Sequence, residues 1–515
     1  MAVKTFAAID VGSYEMSMKI FQFGTGGEMK QIDHIRHRLD LGSQTYANGK
    51  LTNEKVSEIC RVLKEFKDVM KSYRVEDYKA YGTSAIRETE NTLILLEQIH
   101  ARTGIKIEVL SNSEQRFLDY KSIASKGDKF NNIITKGTAI VDIGGGSLQI
   151  SLFDKDMLVS TQNIRLGILR IRDMLQRLQP RRVQLEDMMQ ELIGPQLENF
   201  KKLYLKDNEI HNIIVVDDYV SLILQKNVMG ISKPGFIDTE SFEAFFKDII
   251  NKPDGELSSL LSIEAENVPL VSIASVLVML LIRMLGAKLL WAPGVTLCDG
   301  IAFEYAEKHR KGVQVHDFEK DILACATNIS SRYSGDIEGR EKVAEIALSI
   351  YDAMKKIHGL SKRERLLLQI ASLLQDCGQY ISLSNAGSCS YNIILSTEII
   401  GLSHREREMV ANIVQYVYDE FKYYSEIGNT TTLDRDTYLV ITKLTAILRL
   451  SNCFNEKSSG NFSKVTLDMK DNELLLSVKD KSDILLREGI FDAKAEFFEE
   501  VFSIRPVIKS RKGDF

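Results

Sequence analysis

The sequence predicts an α/β protein in which two related lobes flank a cleft, followed by an all-helical region and a small α+β end. Three observations carry this: two aspartate–glycine turns about 130 residues apart, strand–helix alternation around both, and a loss of strand signal after about residue 312. The first turn is Ala8-Ile9-Asp10-Val11-Gly12-Ser13 and the second is Val141-Asp142-Ile143-Gly144-Gly145-Gly146-Ser147. Each follows a short apolar run, Phe6 to Ile9 or Thr138 to Val141. Each leads into alternating apolar residues, Met16, Met18 and Ile20 or Leu148, Ile150 and Leu152. Period-two alternation on both sides of a glycine turn is a β-hairpin pattern. Two such hairpins facing each other would clamp a phosphate chain. The glycines let backbone N–H groups approach the anion, and each aspartate can hold Mg²⁺ through its water shell.

The elements follow in order. Glu54 to Lys71 has helical periodicity, Lys79 to Gly82 is a short strand, Asn91 to Thr103 a helix, and Ile105 to Leu110 a strand. Gly127-Asp128 opens a polar connection and a domain boundary. Ile213 to Val216 then reads as a strand and 270–285 as an apolar helix. Residues 318–456 are successive amphipathic helices. At the end, Val465 to Met469 and Leu474 to Val478 form a hairpin around Asp471-Asn472, followed by a helix, Ala493 to Phe502, and a strand, Pro506 to Lys509. A chain of 515 residues should form three or four domains, here 1–130, 131–310, 311–456 and 457–515.

Composition narrows the function classes. Apolar content of 44% with 27% charged residues is that of a soluble globular protein, and a net charge of −5 gives no case for general nucleic-acid binding. Six cysteines without a CxxC pair suggest neither a zinc cluster nor a disulfide framework, which fits a reducing cytoplasm. The N-terminus lacks a signal-peptide pattern. The most apolar stretch, Leu270 to Ile282, is too short for a membrane span and reads as a buried helix, so no membrane partner is expected.

In this order the motifs resemble the exopolyphosphatase/guanosine pentaphosphate phosphohydrolase (Ppx/GppA) family of the actin-like, ribonuclease H-like (ASKHA) superfamily. The matching segments are the two turns above and, between them, Gly82-Thr83-Ser84-Ala85-Ile86-Arg87. Leu373-Leu374-Gln375-Asp376-Cys377-Gly378 stands where longer members carry the Leu-His-Asp-Ile-Gly of an HD-like domain, and Gly401 to Arg407 is also family-like. The resemblance implies two actin-like lobes, an HD-like helical domain, a homodimer, and Mg²⁺-dependent removal of the terminal phosphate from polyphosphate or guanosine pentaphosphate. It implies that Asp10 and Asp142 sit near the metal. Gly12, Ser13, Thr83, Ser84, Gly144, Gly145, Gly146 and Ser147 would bind phosphate, and Arg87 would stabilise the transferring group. Phosphoryl transfer asks mainly for positioning and charge neutralisation, which this inventory supplies.

Several residues depart from the family pattern. The glutamate that activates water in a Ser-Gly-x-Glu-Glu-Ala stretch is Gln115, within Ser111-Asn112-Ser113-Glu114-Gln115-Arg116, and a second family carboxylate is Gln149. Glutamine orients water but cannot take its proton, and losing a positioned base costs about 10²–10⁴-fold in rate. Asp217-Asp218-Tyr219 replaces a glycine-rich loop and would repel an anion, and Cys298 replaces an arginine. In the HD-like domain Gln375 and Cys389 replace histidines and Asn452 and Asn455 replace aspartates, which leaves Asp376 unable to hold a metal alone. Two functions remain open: a weakened phosphohydrolase working through Glu114 or through water positioned by Gln115 and Gln149, and a pseudoenzyme that binds polyphosphate or a guanosine polyphosphate as a sensor. Bland roles also stay open. The same residue types also suit Asp10 and Asp142 as turn caps, Thr83 and Ser84 as helix caps, Arg87 as a surface ion-pair partner, and Arg36, His37 and Arg38 as a solvated strand face.

Overall fold

The computed structural model describes residues 4–24, 29–178, 184–225, 235–249, 252–309, 316–333, 336–427, 433–454, 466–470, 473–478 and 484–510. Asn455 and the Asp471-Asn472 turn lie outside them. The chain divides into two compact units, residues 1–318 and 319–515.

The first unit contains two sheets built on one plan. The first runs β3-β2-β1-β4-β5, with β1 (Lys4–Val11), β2 (Glu15–Phe23), β3 (Met29–Arg38), β4 (Asp77–Gly82) and β5 (Glu108–Val109). The second places β6 (Thr138–Ile143), β7 (Leu148–Asp154), β8 (Met157–Ile164), β9 (Asn212–Val216), β10 (Phe236–Asp238) and β11 (Leu289–Trp291) in the order β10-β11-β9-β6-β7-β8. In both, a central strand pairs antiparallel with the next strand in sequence and parallel with a later one: β1 with β2 and β4, β6 with β7 and β9. This is the duplicated actin-like fold, and β10 is an addition at one edge. The expected strand over Ile105 to Leu110 shrinks to β5, which pairs only with Tyr81 and Gly82. Ile105 and Ile107 are buried all the same, so their apolar pattern marks packing rather than a ladder. The polar connection expected after Gly127 is instead a short helix, Asp128–Ile134, that buries Phe130, Ile133 and Ile134.

Helices α1 (Leu41–Asn48), α2 (Asn53–Ser72), α3 (Ser84–Glu88), α4 (Thr92–Thr103) and α5 (Asn112–Ala124) belong to the first lobe. In the second lobe, α6 (Ile168–Leu178), α7 (Leu185–Phe200), α8 (Val220–Gln225) and α9 (Val268–Leu285) surround β6 to β11. The apolar helix α9 is longer than its sequence suggests, and with the turn before it reaches 21 residues, enough to cross a membrane. Its length excludes nothing. Its burial, 83% of that window, marks it as the core helix of this lobe, where Ile273, Leu277 and Leu281 belong to one buried cluster with Val215 and Leu290. Helix α10 (Leu297–His309) returns to the first lobe, where Cys298, Ile301 and Ala302 cluster with Phe6, Ala8, Phe21 and Leu118.

The second unit is helical as expected, with α11 (Ile337–Ala353), α12 (Lys362–Leu374), α13 (His404–Tyr418) and α14 (Arg435–Ser451) as its longer core helices. Its end forms a three-stranded sheet, β12 (Thr466–Lys470), β13 (Glu473–Val478) and β14 (Arg505–Ser510), beside α15 (Ile484–Phe502).

Candidate functional site

The two hairpins close in the same way. In the first, the N–H of Gly12 donates to the carbonyl of Glu15 at 3.0 Å; in the second, Gly144 donates to Ser147 at 3.0 Å. Those two N–H groups are therefore spent inside their own turns. A side chain on Gly12 would put its Cβ 2.7 Å from the Glu15 carbonyl oxygen, so the tight bend needs glycine. Asp10 ends β1 opposite Ser17, and Asp142 ends β6 opposite Gln149, at equivalent places of the duplicated sheets.

The bends face each other. Between them lies a cavity of about 110 Å³ lined by Asp10, Gly12, Ser13, Thr83, Ser84, Gln115, Asp119, Asp142, Gly144, Gly145 and Ser147, with Asp217 and Asp218 at its side. Tyr46 of α1 joins the loops, its hydroxyl hydrogen-bonded with Ser13 Oγ (2.8 Å) and Ser84 Oγ (3.0 Å). Arg170 of α6 lies over the Tyr46 ring at 4.0 Å, donates to the Gly146 carbonyl at 2.8 Å and pairs with Glu88. Thr83 and Ser84 are thus not helix caps, since neither side chain caps α3 and both face the cavity.

Charge is the site's dominant property. Burial pushes the Asp10 carboxyl well above its usual range, and Asp218, Glu15 and Asp142 push it further. Asp119 is raised first by burial, then by Asp142 and Asp10, while Arg116 pulls it back. Burial also raises Asp142, while Asp119's hydrogen bond and Arg116 pull it back. Asp10 Oδ1 and Asp142 Oδ2 are buried without a hydrogen-bond partner. Orphaned carboxylate oxygens in a small acidic cavity are what a divalent cation would satisfy. Among the described residues no three His, Cys, Asp or Glu side chains converge into a complete metal cage. A Mg²⁺ ion keeps several waters and takes one or two carboxylates plus substrate phosphate oxygens, and Asp10 and Asp142 are the carboxylates that could hold one here.

The residues at the family's glutamate positions lie differently. Gln115 lines the cavity, and its Oε1 accepts from Arg87 Nη1 at 3.4 Å. Arg87 also donates to the Leu110 carbonyl at 2.6 Å, so it stands behind Gln115 instead of in the cavity lining. Gln149 is fully buried, and its Oε1 accepts from Arg116 Nε at 2.8 Å. Glu114 is a correction: its carboxylate accepts from the Ser111 N–H at 2.9 Å, while Ser111 Oγ accepts from the Glu114 N–H. This capping box at the start of α5 turns Glu114 away from catalysis, and the Ser-x-x-Glu spacing signals it in the sequence. Asp119, which no sequence motif marks, also lines the cavity. It lies one helical turn beyond Gln115, and that i, i+4 spacing was the available signal.

Other expectations change as well. Asp217 has a structural duty: its carboxylate accepts from the N–H groups of Tyr219, Val220 and Ser221 and caps α8. Arg36 bridges Glu15 (2.6 Å) and Asp218 (3.4 Å), His37 meets Glu65 (3.3 Å) and Arg38 pairs with Glu266, so the basic strand face is an ion-pair network. Cys298 is fully buried beside Ser17 and Ala8.

In the second unit the family's metal position is filled from within. Asp376 pairs with the guanidinium of Arg340 and accepts from the Tyr418 hydroxyl. Arg340 and Asp376 are only 2% and 5% exposed. Gln375 Oε1 accepts from Asn452 Nδ2 at 2.6 Å. Of the side chains that replace family ligands, Gln375 and Asn452 thus pair with each other, and the retained Asp376 pairs with Arg340.

Residues 20–309 match the Ppx/GppA phosphatase family and residues 323–490 match domain III of the same family. The chain belongs to the Ppx/GppA phosphatase family. It is 20% identical to a guanosine-5'-triphosphate,3'-diphosphate pyrophosphatase of Photobacterium profundum over 92% of this chain and 91% of that one. Exopolyphosphatase 1 of Mycobacterium tuberculosis is 26% identical over 28% of this chain and 40% of its own length. A bifunctional 3-dehydroquinate synthase/phosphatase of Fusobacterium nucleatum is 24% identical over 38% of this chain. The match spans only 31% of that bifunctional protein and 40% of the mycobacterial one. In fold, the chain is similar to an exopolyphosphatase from Cytophaga hutchinsonii, with a TM-score of 0.50 and 16% identity over 61% of this chain and all of that one.

Proposed function

We propose that the cleft holds the terminal phosphoryl group of a linear phosphate chain, either inorganic polyphosphate or guanosine pentaphosphate, and hydrolyses it at a reduced rate with Mg²⁺. The observation that carries this reading is the pair of equivalent bends facing each other across a 110 Å³ cavity, each bringing one aspartate with an orphaned oxygen. The cavity is small beside the roughly 300–1,000 Å³ of ordinary small-molecule sites. It admits one end group and leaves the rest of the chain outside, which favours end-wise attack. Asp10 and Asp142 would hold Mg²⁺, which when bound neutralises phosphate charge and polarises the phosphorus centre. Ser13, Thr83, Ser84 and Ser147 offer hydroxyls to the phosphate oxygens, and the turns at Gly145 and Gly146 offer backbone approach. Gln115 orients water from the α5 side.

A second reading has its own support. Gln149 is tied to Arg116 and Gln115 to Arg87, so neither family position presents a carboxylate. A protein that grips polyphosphate or a guanosine polyphosphate without cleaving it, as a sensor, would look the same at those two positions. The experiment is phosphate release from long-chain polyphosphate and from guanosine pentaphosphate with and without Mg²⁺, beside a binding titration. Mg²⁺-dependent release supports the hydrolase, and binding without release supports the sensor. No affinity for either ligand would end both.

A further inference from the structure

The structure assigns Asp119, one turn along α5 from Gln115, as the carboxylate that activates the attacking water in place of the missing family glutamate. The inference rests on the hydrolase reading above and names the residue that reading lacks.

Positions i and i+4 of a helix lie one above the other on a single face, about 5.4 Å apart along the axis. Gln115 and Asp119 therefore share the face of α5 that lines the cavity, and both side chains line it. Asp119 is 5% exposed, and a buried helical aspartate usually has a structural duty. The neighbouring acids show what such duties look like. Glu114 caps α5, Asp217 caps α8, and Asp299 accepts from Lys19 Nζ at 2.6 Å. Asp119 instead lines the cavity beside Asp10 and Asp142. Placing two carboxyl groups together in a buried cavity costs stability unless ligand binding recovers it. Arg116, three residues before it, holds Gln149 and Thr161 and so fixes the adjoining turn of α5.

The step balances as follows. The water oxygen bonds to the terminal phosphorus as one water proton passes to the Asp119 carboxylate. The bridging P–O bond breaks, its electron pair stays on the oxygen of the shortened chain, and the proton on Asp119 passes to that oxygen. Orthophosphate leaves with the second water proton. The carboxylate has moved one turn along the same helix, so a shift of the attacking water by a few ångströms replaces the family geometry.

The test uses the full chain with Mg²⁺ and long-chain polyphosphate, and compares wild type with Asp119→Asn, Gln115→Glu and the double variant. Asp119→Asn should lower kcat by about 10²-fold or more, with polyphosphate affinity and the half-saturating Mg²⁺ concentration changed less than about threefold. The double variant should regain at least about tenfold of the loss, because it returns a carboxylate to the same face. A purely structural residue would not be rescued that way. If Asp119→Asn does not fold, Asp119→Ser serves with the same expected loss. Three outcomes overturn the assignment: Asp119→Asn within about threefold of wild-type kcat, a Mg²⁺ requirement raised as much as by Asp142→Asn, or a wild type that binds polyphosphate with Mg²⁺ and releases none. The last leaves the phosphate-binding reading standing. Absence of any polyphosphate or guanosine pentaphosphate binding sinks both together.

Discussion

The cleft of the first unit and the core of the second each retain acids at positions their family uses, and they treat them in opposite ways. In the second unit Asp376 is neutralised by Arg340, hydrogen-bonded by Tyr418 and flanked by the Gln375–Asn452 pair. In the cleft Asp10, Asp119 and Asp142 crowd together, and two of their oxygens have no partner. A buried acid matched by a guanidinium serves the fold. Buried acids that mainly face one another, with Arg116 as a partial offset, are costly to the fold, and a site keeps them when a ligand recovers the cost. The lesson is that erosion of a motif does not by itself report lost function. The local charge balance reports it better.

The sharpest way to break the comparison is to remove one partner of the buried pair. Asp376→Ala or Arg340→Met should cost about 3–5 kcal/mol, because each leaves an uncompensated buried charge. The double variant Arg340→Met/Asp376→Leu should recover most of that loss, measured by chemical denaturation. Phosphate release at a temperature where the variants remain folded should not change.

Glycine substitutions come next. A Cβ on Gly378 would fall 2.2 Å from the Ala386 carbonyl oxygen and 2.4 Å from the Ser390 nitrogen, both backbone atoms. On Gly146 it would fall 2.1 Å from Tyr46 Oη and 2.4 Å from Ser84 Oγ, the ends of side chains. Gly378→Ala should therefore cost about 3 kcal/mol and leave ligand binding alone. Gly146→Ala should cost about 1 kcal/mol, because Tyr46 can swing aside, but should weaken polyphosphate binding markedly in a titration.

The cleft should answer the opposite substitution with the opposite sign. Asp142→Asn removes a buried like charge, so without Mg²⁺ it should raise stability by about 1 kcal/mol while abolishing Mg²⁺-dependent polyphosphate binding. A thermal melt beside the binding titration checks both halves. A fall in metal-free stability would contradict the charge argument.

The smallest effect expected is in pH dependence. Burial, then Asp218, pushes the Glu15 carboxyl from 4.5 up to about 7, against the pull of Arg36. Its neutral form is the one the fold prefers. That contribution is fully present below pH 4.5 and is lost as pH rises through about 7, since the folded state there binds more protons than the unfolded one. In metal-free buffer the melting temperature should fall more steeply over that window for wild type than for Glu15→Gln. Equal slopes would mean that Glu15 is ionised in the fold.

Much of this was legible from the residues alone. Period-two alternation around two glycine turns marked both hairpins and put Asp10 and Asp142 at equivalent bends. The Ser111 to Glu114 spacing is that of a capping box, which the structure forms. Asp119 was legible in principle from its distance to Gln115. Nothing local distinguished it from a surface aspartate, because its burial comes from segments distant in sequence that enclose the same cavity.

By itself the sequence determined the duplicated hairpin plan, the helical second unit and the placing of one acid at each bend, since these follow from patterns within a few residues. Only the tertiary structure decided which charges were left uncompensated. Arg116 meets Gln149 across 33 residues, Arg340 finds Asp376 on a different helical segment, and Asp119 reaches Asp142 from a different element. Periodicity is a property of neighbours along the chain, whereas electrostatic compensation is a property of neighbours in space.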